Sequence, residues 1–353
     1  MRHCEEPTPP LISAEDELGV RVLTASHGAL NTLSRALRLA AIQALQSAAQ
    51  EPEVRALVLR CAGRTFFAGA DLAELQSGLQ PPGLLEFVDA CAAARAPVIA
   101  ALHGSVFGGG VVMAYACDWR VAAEDARFAM PEVGLGLVPT FGGTQLLPRL
   151  IGVPAALELV IDGAEWDAAT ALRRGLVDEV VPASQLDLAA RAAARRLPPK
   201  RPVRSLQRHL EAPEATALAL AARRGALPPD APAARALCLQ LFAEGLQQAQ
   251  ELALAWEHEA FLAMLASAQS WRLRELFLAE RGLRRAAFDI AAVQAQLRIT
   301  GPEPQALRAL ARRLLTQGAV PSARLLDALV VQTFGLPRHQ PSPLEPLLHE
   351  EPQ

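Results

Sequence analysis

The chain has 353 residues, 51% of them apolar and 20% charged, with a formal net charge of −3. This leaves room for one large domain plus a smaller one, each with a real core, and it supplies no global positive field to recruit nucleic acid or an anionic membrane. Five scattered cysteines (Cys4, Cys61, Cys91, Cys117, Cys238) have no metal or disulfide-framework spacing, which suits a reducing, cytoplasmic setting. Met1–Pro7 is followed by prolines rather than an apolar run, so no secretory signal is expected. In chain order, residues 17–30 read as a hairpin with Val20–Leu23 as its clearer strand. Leu33 to Ala49 has helical spacing and follows two candidate N-caps, Asn31 and Thr32. Val54–Arg60 is a buried-type strand, and Pro97–Leu102 is a second. Pro97 to Ala116 has nearly the length of a membrane span, but His103 and four glycines turn it into strand, turn and buried helix. No membrane span is expected, because such a break would leave backbone groups unpaired in lipid. Trp119–Ala122 is a third strand, and Arg127–Met130 brings the chain to Glu132. Strands separated by helical runs predict an α/β layer structure with loops gathered at strand ends.

From Leu186 onward there is little strand pattern and much Ala, Leu, Arg and Glu at helical spacing, cut by prolines at 198, 199, 202, 213, 228, 229 and 232. The longest helical run is Ala233 to Arg285, with a break near Ser267–Ser270. The Pro- and His-rich segment after Gly335 reads as a loosely ordered tail. The expected division is a catalytic domain over 1–190, a helical linker-type region over 191–285 that packs on the core, and a short helical or irregular tail over 286–353.

Two glycine-rich loops carry the chemistry. The first contains Phe66-Phe67-Ala68-Gly69-Ala70-Asp71-Leu72 and the second runs from His103 through Gly108-Gly109-Gly110 to Val112 and Met113. Each offers a backbone N–H at a sharp turn entering a helix, the Ala70 N–H and the Gly109 N–H, and such a pair can hold a developing oxyanion without a metal. A thioester carbonyl held between two such donors makes its adjacent C–H far more acidic. Losing one donor typically costs roughly 3–4 kcal/mol of barrier. Gly69 turns the chain without blocking the site, and Asp71 suits a local helix cap rather than a reactant. The carboxylate follows in Met130-Pro131-Glu132. One carboxylate beside such a hole suits moving a proton along a substrate better than adding water to it.

This set resembles the enoyl-CoA hydratase/isomerase, or crotonase, superfamily over about residues 15–190. The resemblance takes in Phe66 to Leu72, Gly108-Gly109-Gly110, Pro131-Glu132, Leu135 to Pro139, Gly142-Gly143-Thr144-Gln145, Leu147 to Gly152, and Ala168 to Val181. It implies a ββα spiral core that binds acyl-CoA thioesters, followed here by an all-helical C-terminal region. It also implies Ala70 and Gly109 as oxyanion-hole donors and Glu132 as the catalytic carboxylate. The substrate-binding residues it implies are Ala68, Gly69, Asp71, Leu72, Gly108, Gly110, Val112, Pro139, Thr140 and Gly142. The family's hydratases use two glutamates, which map onto Glu132 and Val112, so one role is vacant. Losing one positioned acid–base group costs about 10²–10⁴ in rate, and the expectation is therefore isomerase-type double-bond migration. Thr140 replaces a usual glycine, which would narrow the acyl pocket, supply a hydroxyl or be a tolerated change, and Leu146 replaces a common arginine. Glu74, Glu86 and Asp89, on the helical stretch between the loops, are candidates to fill the vacancy at 112.

Residues 233–285 resemble the linker helices of multifunctional fatty-acid oxidation enzymes through Phe242 to Leu246, Glu259 to Leu262 and Glu280-Arg281. In those proteins a dehydrogenase follows; no Gly-x-Gly-x-x-Gly opens a helix after a strand here, so no NAD binding is expected. Leu325 to His339 faintly resembles the far end of such a dehydrogenase, which gives the tail a remnant-like character. Either a monomer or a homotrimer fits. The seven histidines lack metal spacing, and there is no Gly-x-Ser-x-Gly elbow. No metal or separate cofactor is expected; coenzyme A would enter as part of the substrate, with an acyl-carrier-protein thioester as the other possible form. The competing readings are a hydratase with a substituted second acid, and a relative that binds acyl-CoA or a protein partner without turnover.

Overall fold

Runs of Val, Ile, Leu and Ala with both faces apolar form the central sheet of the computed structural model, which describes residues 11–228 and 231–348. The strands are β1 (Leu11–Glu17), β2 (Val20–Ser26), β3 (Ala56–Cys61), β4 (Val98–Leu102), β5 (Ser105–Phe107), β6 (Trp119–Ala123), β7 (Arg127–Ala129), β8 (Trp166–Asp167) and β9 (Glu179–Val181). Six of them make one sheet in the order β1-β2-β3-β4-β6-β9, and β5-β7-β8 make a second. Only the β1–β2 pair in the large sheet is antiparallel. The parallel pairs need crossover connections, supplied largely by α1 (Arg35–Gln50), α2 (Leu72–Ser77), α3 (Leu85–Ala93), α4 (Gly109–Ala116), α5 (Leu147–Ile151), α6 (Val153–Val160) and α7 (Ala168–Arg174). Beyond the sheet, α8 (Leu186–Arg195) lays Ala190, Ala193 and Ala194 against Val22, Val58, Ile99 and Val121.

Two local expectations are corrected. The hairpin lies over 11–26 rather than 17–30, because Leu18 and Gly19 both adopt positive φ (53° and 79°) and place the reversal there. Ser34, not Asn31 or Thr32, caps α1: its side chain accepts from the Leu37 N–H. The Asn31 side chain is occupied elsewhere, accepting from His27 N and donating to the carbonyls of Ala62 and Thr65.

The helical half contains α9 (Pro213–Ala226), α10 (Ala233–Gln240), a π-turn at Leu241–Gly245, α11 (Gln250–Leu265), α12 (Ala268–Leu283), α13 (Ile290–Thr300), α14 (Pro304–Thr316), α15 (Ala323–Phe334) and α16 (Glu345–Leu348). The 233–285 run is thus interrupted twice, at the π-turn and at Ser267, which caps α12. Contacts divide the chain into one unit of residues up to 133 and 138–261, and another of 134–137 and 262 onward. The break therefore falls within the expected 191–285 segment. The second unit has its own core, in which Leu276, Leu297, Leu307, Leu326 and Leu329 are buried. Within it α14 buries Leu307, Leu310, Ala311 and Leu314, one helix face at i, i+3, i+4 and i+7. Leu344, Leu347 and Leu348 join that core, so the segment after Gly335 is anchored at its far end rather than loosely ordered throughout. Pro343 and Pro346 are each followed by a leucine, Leu344 and Leu347, that buries. Met1–Pro7 and Pro229, on which part of the sequence reading rests, lie outside the described residues. Among the described residues, no helix is long and apolar enough to cross a membrane, and no group of three or more His, Cys, Asp or Glu could hold a metal ion.

Candidate active site

The first loop is anchored before it turns. Phe66 and Phe67 are fully buried, edge to face at 4.6 Å between ring centroids. The Phe66 N–H donates to His103 O at 2.8 Å, which ties this loop to the start of the second. Ala68 N donates to Leu30 O and Leu33 N to Gly69 O, and Leu33 pairs with Ala70 in an isolated parallel bridge. Gly69 has φ +107°, and a Cβ there would sit 3.1 Å from Phe107 O. Asp71 then caps α2, accepting from Ala73 N at 2.9 Å and Glu74 N at 3.5 Å. Leu72 is the first residue of that helix.

The second loop closes against the first at Gly110, where an added Cβ would meet Phe67 O at 2.0 Å. Only a glycine permits that approach. Gly109 opens α4, so its N–H has no carbonyl four residues back to bind. Leu33 Cδ1 would lie 2.8 Å from a Gly109 Cβ, so the residue paired with Ala70 also packs on Gly109. Sequence-distant Ala68, Gly69, Ala70, Gly108, Gly109 and Gly110 therefore come together around Leu33, Phe67 and Phe107.

Glu132 follows β7 and reaches the same place. Gly108 has φ +51° and its Cβ would fall 2.9 Å from Glu132 Oε1, which puts the carboxylate against the turn that presents the Gly109 N–H. The residue keeps some accessible surface, yet Oε2 is closed to solvent and has no hydrogen-bond partner. Burial pushes the Glu132 carboxyl up to about 7; its own backbone N–H pulls the other way, and the Glu257 charge adds to the rise. Val112 lies one turn into α4, is 2% exposed, and brings no polar atom to the site beyond its backbone.

The three acids considered for the vacant role are elsewhere. Glu74 pairs with Arg38, Nη2 to Oε1 at 2.6 Å, while Asp89 pairs with Arg204 and Glu86 is exposed. The reason is helical phase: α2 and α3 bury Leu75, Phe87, Val88, Ala90 and Cys91 and turn these carboxylates away from that face.

The acid that does come near was not anticipated. Glu257, on α11, is fully buried and takes three donors from one loop: Gly142 N at 2.6 Å, Thr144 N at 2.7 Å and Thr144 Oγ1 at 2.6 Å. Burial pushes its carboxyl up to about 7, against the pull of those hydrogen bonds. The same loop holds buried Pro139 and the departure at Thr140, whose Oγ1 lies 3.2 Å from His258 Nδ1. It also provides Phe141 O, which accepts the Tyr115 hydroxyl at 2.6 Å. At Gly142, φ is +98° and a Cβ would strike the Leu146 side chain at 2.5 Å. Leu146, where the family commonly has arginine, is buried.

The comparisons with known proteins agree with this architecture. The enoyl-CoA hydratase/isomerase family model matches residues 15–226, and the chain belongs to that family. It is 41% identical over 170 residues to the peroxisomal bifunctional enzyme of Danio rerio, covering 48% of this chain and 24% of that protein. Against the peroxisomal bifunctional enzyme of Homo sapiens the figure is 35% over 268 residues, 71% of this chain and 35% of that one. The chain thus spans roughly a quarter to a third of the length of these relatives. Among solved structures, a carnitinyl-CoA hydratase from Mycobacterium avium superposes with a TM-score of 0.56 at 29% identity, covering 76% of this chain and 95% of that one. An enoyl-CoA hydratase/isomerase from Pseudoalteromonas atlantica gives 0.57 at 24% identity over 76% and 97%, a likeness of fold alone. The fold is that of the crotonases.

Proposed function

We propose that this chain moves a double bond within an acyl thioester, converting a 3-enoyl to a conjugated 2-enoyl form. The observation that carries the reading is a single carboxylate with an unpartnered, buried oxygen, Glu132, beside the Gly109 turn, while the next helical turn offers only Val112. Ionised Glu132 takes a C2 proton, and the C2–H electrons delocalise into a dienolate. The dienolate oxygen sits between the Ala70 and Gly109 N–H groups, where preorganised donors act most strongly. The proton on Glu132 then returns at C4, the bonds shift, and the carboxylate is regenerated. No water is consumed and no redox partner is needed; coenzyme A enters only as the substrate's carrier. A base with its pKa near 7 suits this two-way transfer, since it can both accept and return the proton at neutral pH. Its ionisation starts the cycle, so the rate should rise with pH through about 7.

A second reading, addition of water to a 2-enoyl thioester, is favoured by relatives whose names say hydratase. It needs a second acid. Glu257 is the buried carboxylate nearest that description, but three donors already occupy its two oxygens. The test is to supply a 3-enoyl-CoA and, separately, a 2-enoyl-CoA, following conjugated-thioester absorbance and product mass. Conjugation without mass gain, lost by at least about 10²-fold in Glu132→Gln, is the expected result. A product heavier by one water would favour the hydratase. Binding of both thioesters with no turnover would mean a thioester-binding protein.

A further inference from the structure

Glu257 is a charged group where the fold alone would select an apolar one. It occupies the face of α11 that buries Ala253, Leu254, Ala260 and Phe261. Burying a carboxylate there is costly unless donors satisfy it. The donors are neutral backbone and hydroxyl groups: Gly142 N–H and Thr144 N–H and O–H, with Gln145 Nε2 bracing the Thr144 hydroxyl at 2.9 Å. No cation is paired with it among the described residues, so when it is ionised its negative charge is not cancelled locally. That charge bears on Glu132 and on Tyr115.

Two connections run from Glu257 to the reacting groups. One is mechanical: the loop it grips carries Phe141 O, which receives the hydroxyl of fully buried Tyr115. Tyr115 belongs to α4, whose first residue is Gly109, so the grip of Glu257 reaches the helix that aims a candidate oxyanion donor. The other is electrostatic and acts on Glu132. We propose that Glu257 is a positioning residue of the site: its buried carboxyl clamps the 139–145 loop and, when ionised, places a negative charge that opposes ionised Glu132. It does not touch the substrate in this scheme; it sets when Glu132 lets go of its proton. The other titratable groups facing this cluster are Tyr115, its weak counter-charge Arg204, and the Cys238 thiol, which burial and both carboxylates push up. His258, the next residue on α11, is engaged with the Thr140 hydroxyl. Repulsion between two charges is reciprocal, so loss of either carboxylate eases ionisation of the other.

This proposal rests on the isomerase reading only for its kinetic readout. In Glu257→Gln the acidic limb of the kcat/KM profile with 3-enoyl-CoA should move to lower pH, because the charge that disfavours ionised Glu132 is gone. In Glu257→Asp, which keeps the charge but shortens the reach, the limb should stay within about 0.3 unit while kcat falls about tenfold through loss of the loop's geometry. A purely structural Glu257 would lower kcat in both variants and leave the limb in place, and that result would overturn the proposal. An infrared titration of carboxyl groups in the unaltered protein and in Glu132→Gln needs neither Glu257 variant to fold nor any turnover. The Gln substitution should remove one carboxyl that titrates near 7 and lower the midpoint of the other; an unmoved midpoint refutes the coupling. If no thioester is isomerised yet the midpoint moves, the isomerase reading falls and the pairing stands.

Discussion

Replacing Glu132 with glutamine should stabilise the protein, and the gain should depend on pH with a definite sign. In the folded chain burial raises this carboxyl from 4.5 to about 7. Between those values the folded state keeps a proton that the unfolded state has released, so stability falls as pH rises from about 4.5 to about 7 and then levels off. The full difference corresponds to about 3 kcal/mol, at 1.36 kcal/mol per pKa unit. Between about pH 5 and about pH 8 the part recovered is about 2–3 kcal/mol. Glutamine has the same shape and no charge, so this penalty disappears in the variant. Any cost of placing an amide against the Gly108 turn is independent of pH and drops out when the two pH values are compared. Urea melts of both proteins at the two pH values provide the measurement. The variant should gain about 2–3 kcal/mol on the unaltered protein as pH rises from about 5 to about 8. An equal difference at both pH values would mean that Glu132 titrates as an ordinary exposed carboxylate, and the argument for a base poised near neutrality would fail.

Gly110→Ala puts a methyl 2.0 Å from Phe67 O, a backbone atom that cannot turn aside, so a loss of about 3 kcal/mol or more and a fall in soluble yield are expected by thermal melt. Gly108→Ala strikes the Glu132 carboxylate and demands φ +51° of a residue with a Cβ; turnover should fall by about 10² or more with circular dichroism unchanged. Val112→Glu should add water to a 2-enoyl thioester measurably faster, at a cost of about 2–3 kcal/mol in a urea melt for a charge buried in α4. Unchanged hydration would mean that the vacancy at 112 is not what keeps water addition low.

The sequence disclosed those features whose cause is local. Apolar runs of four to six residues located β3, β4 and β6, and the triple glycine located the α4 turn, because Gly108 and Gly110 answer to backbone geometry that few residues tolerate. Both loops and Glu132 were legible because turns and a carboxylate leave a pattern in a short stretch. Glu257 was not, since its function depends on a loop 113 residues away. The signal was present: Glu257 falls three and four residues from Leu254, Ala253, Ala260 and Phe261, on the apolar stripe of α11, where a carboxylate is out of place. The charges at 257 and 259 look alike in sequence, but Glu259 is exposed and Glu257 is buried. Glu74, Glu86 and Asp89 illustrate the converse, acids close to the loops in sequence and turned away by helical phase. The anchoring of the segment after Gly335 depended on Leu344, Leu347 and Leu348 finding a core built by residues up to 72 positions earlier, which Pro and His content does not reveal.

The most direct test of a single-glutamate proton shift is to follow the proton itself. A 3-enoyl-CoA carrying deuterium at C2 is converted in ordinary water, and the 2-enoyl product is examined by mass spectrometry and NMR. Because Glu132 Oε2 is closed to solvent and is the one group asked to take and return the proton, a measurable share of the label should reappear at C4. That share should vanish along with turnover in Glu132→Gln. Conversion that persists in the glutamine variant, or a product carrying added water in place of a shifted double bond, would contradict the account.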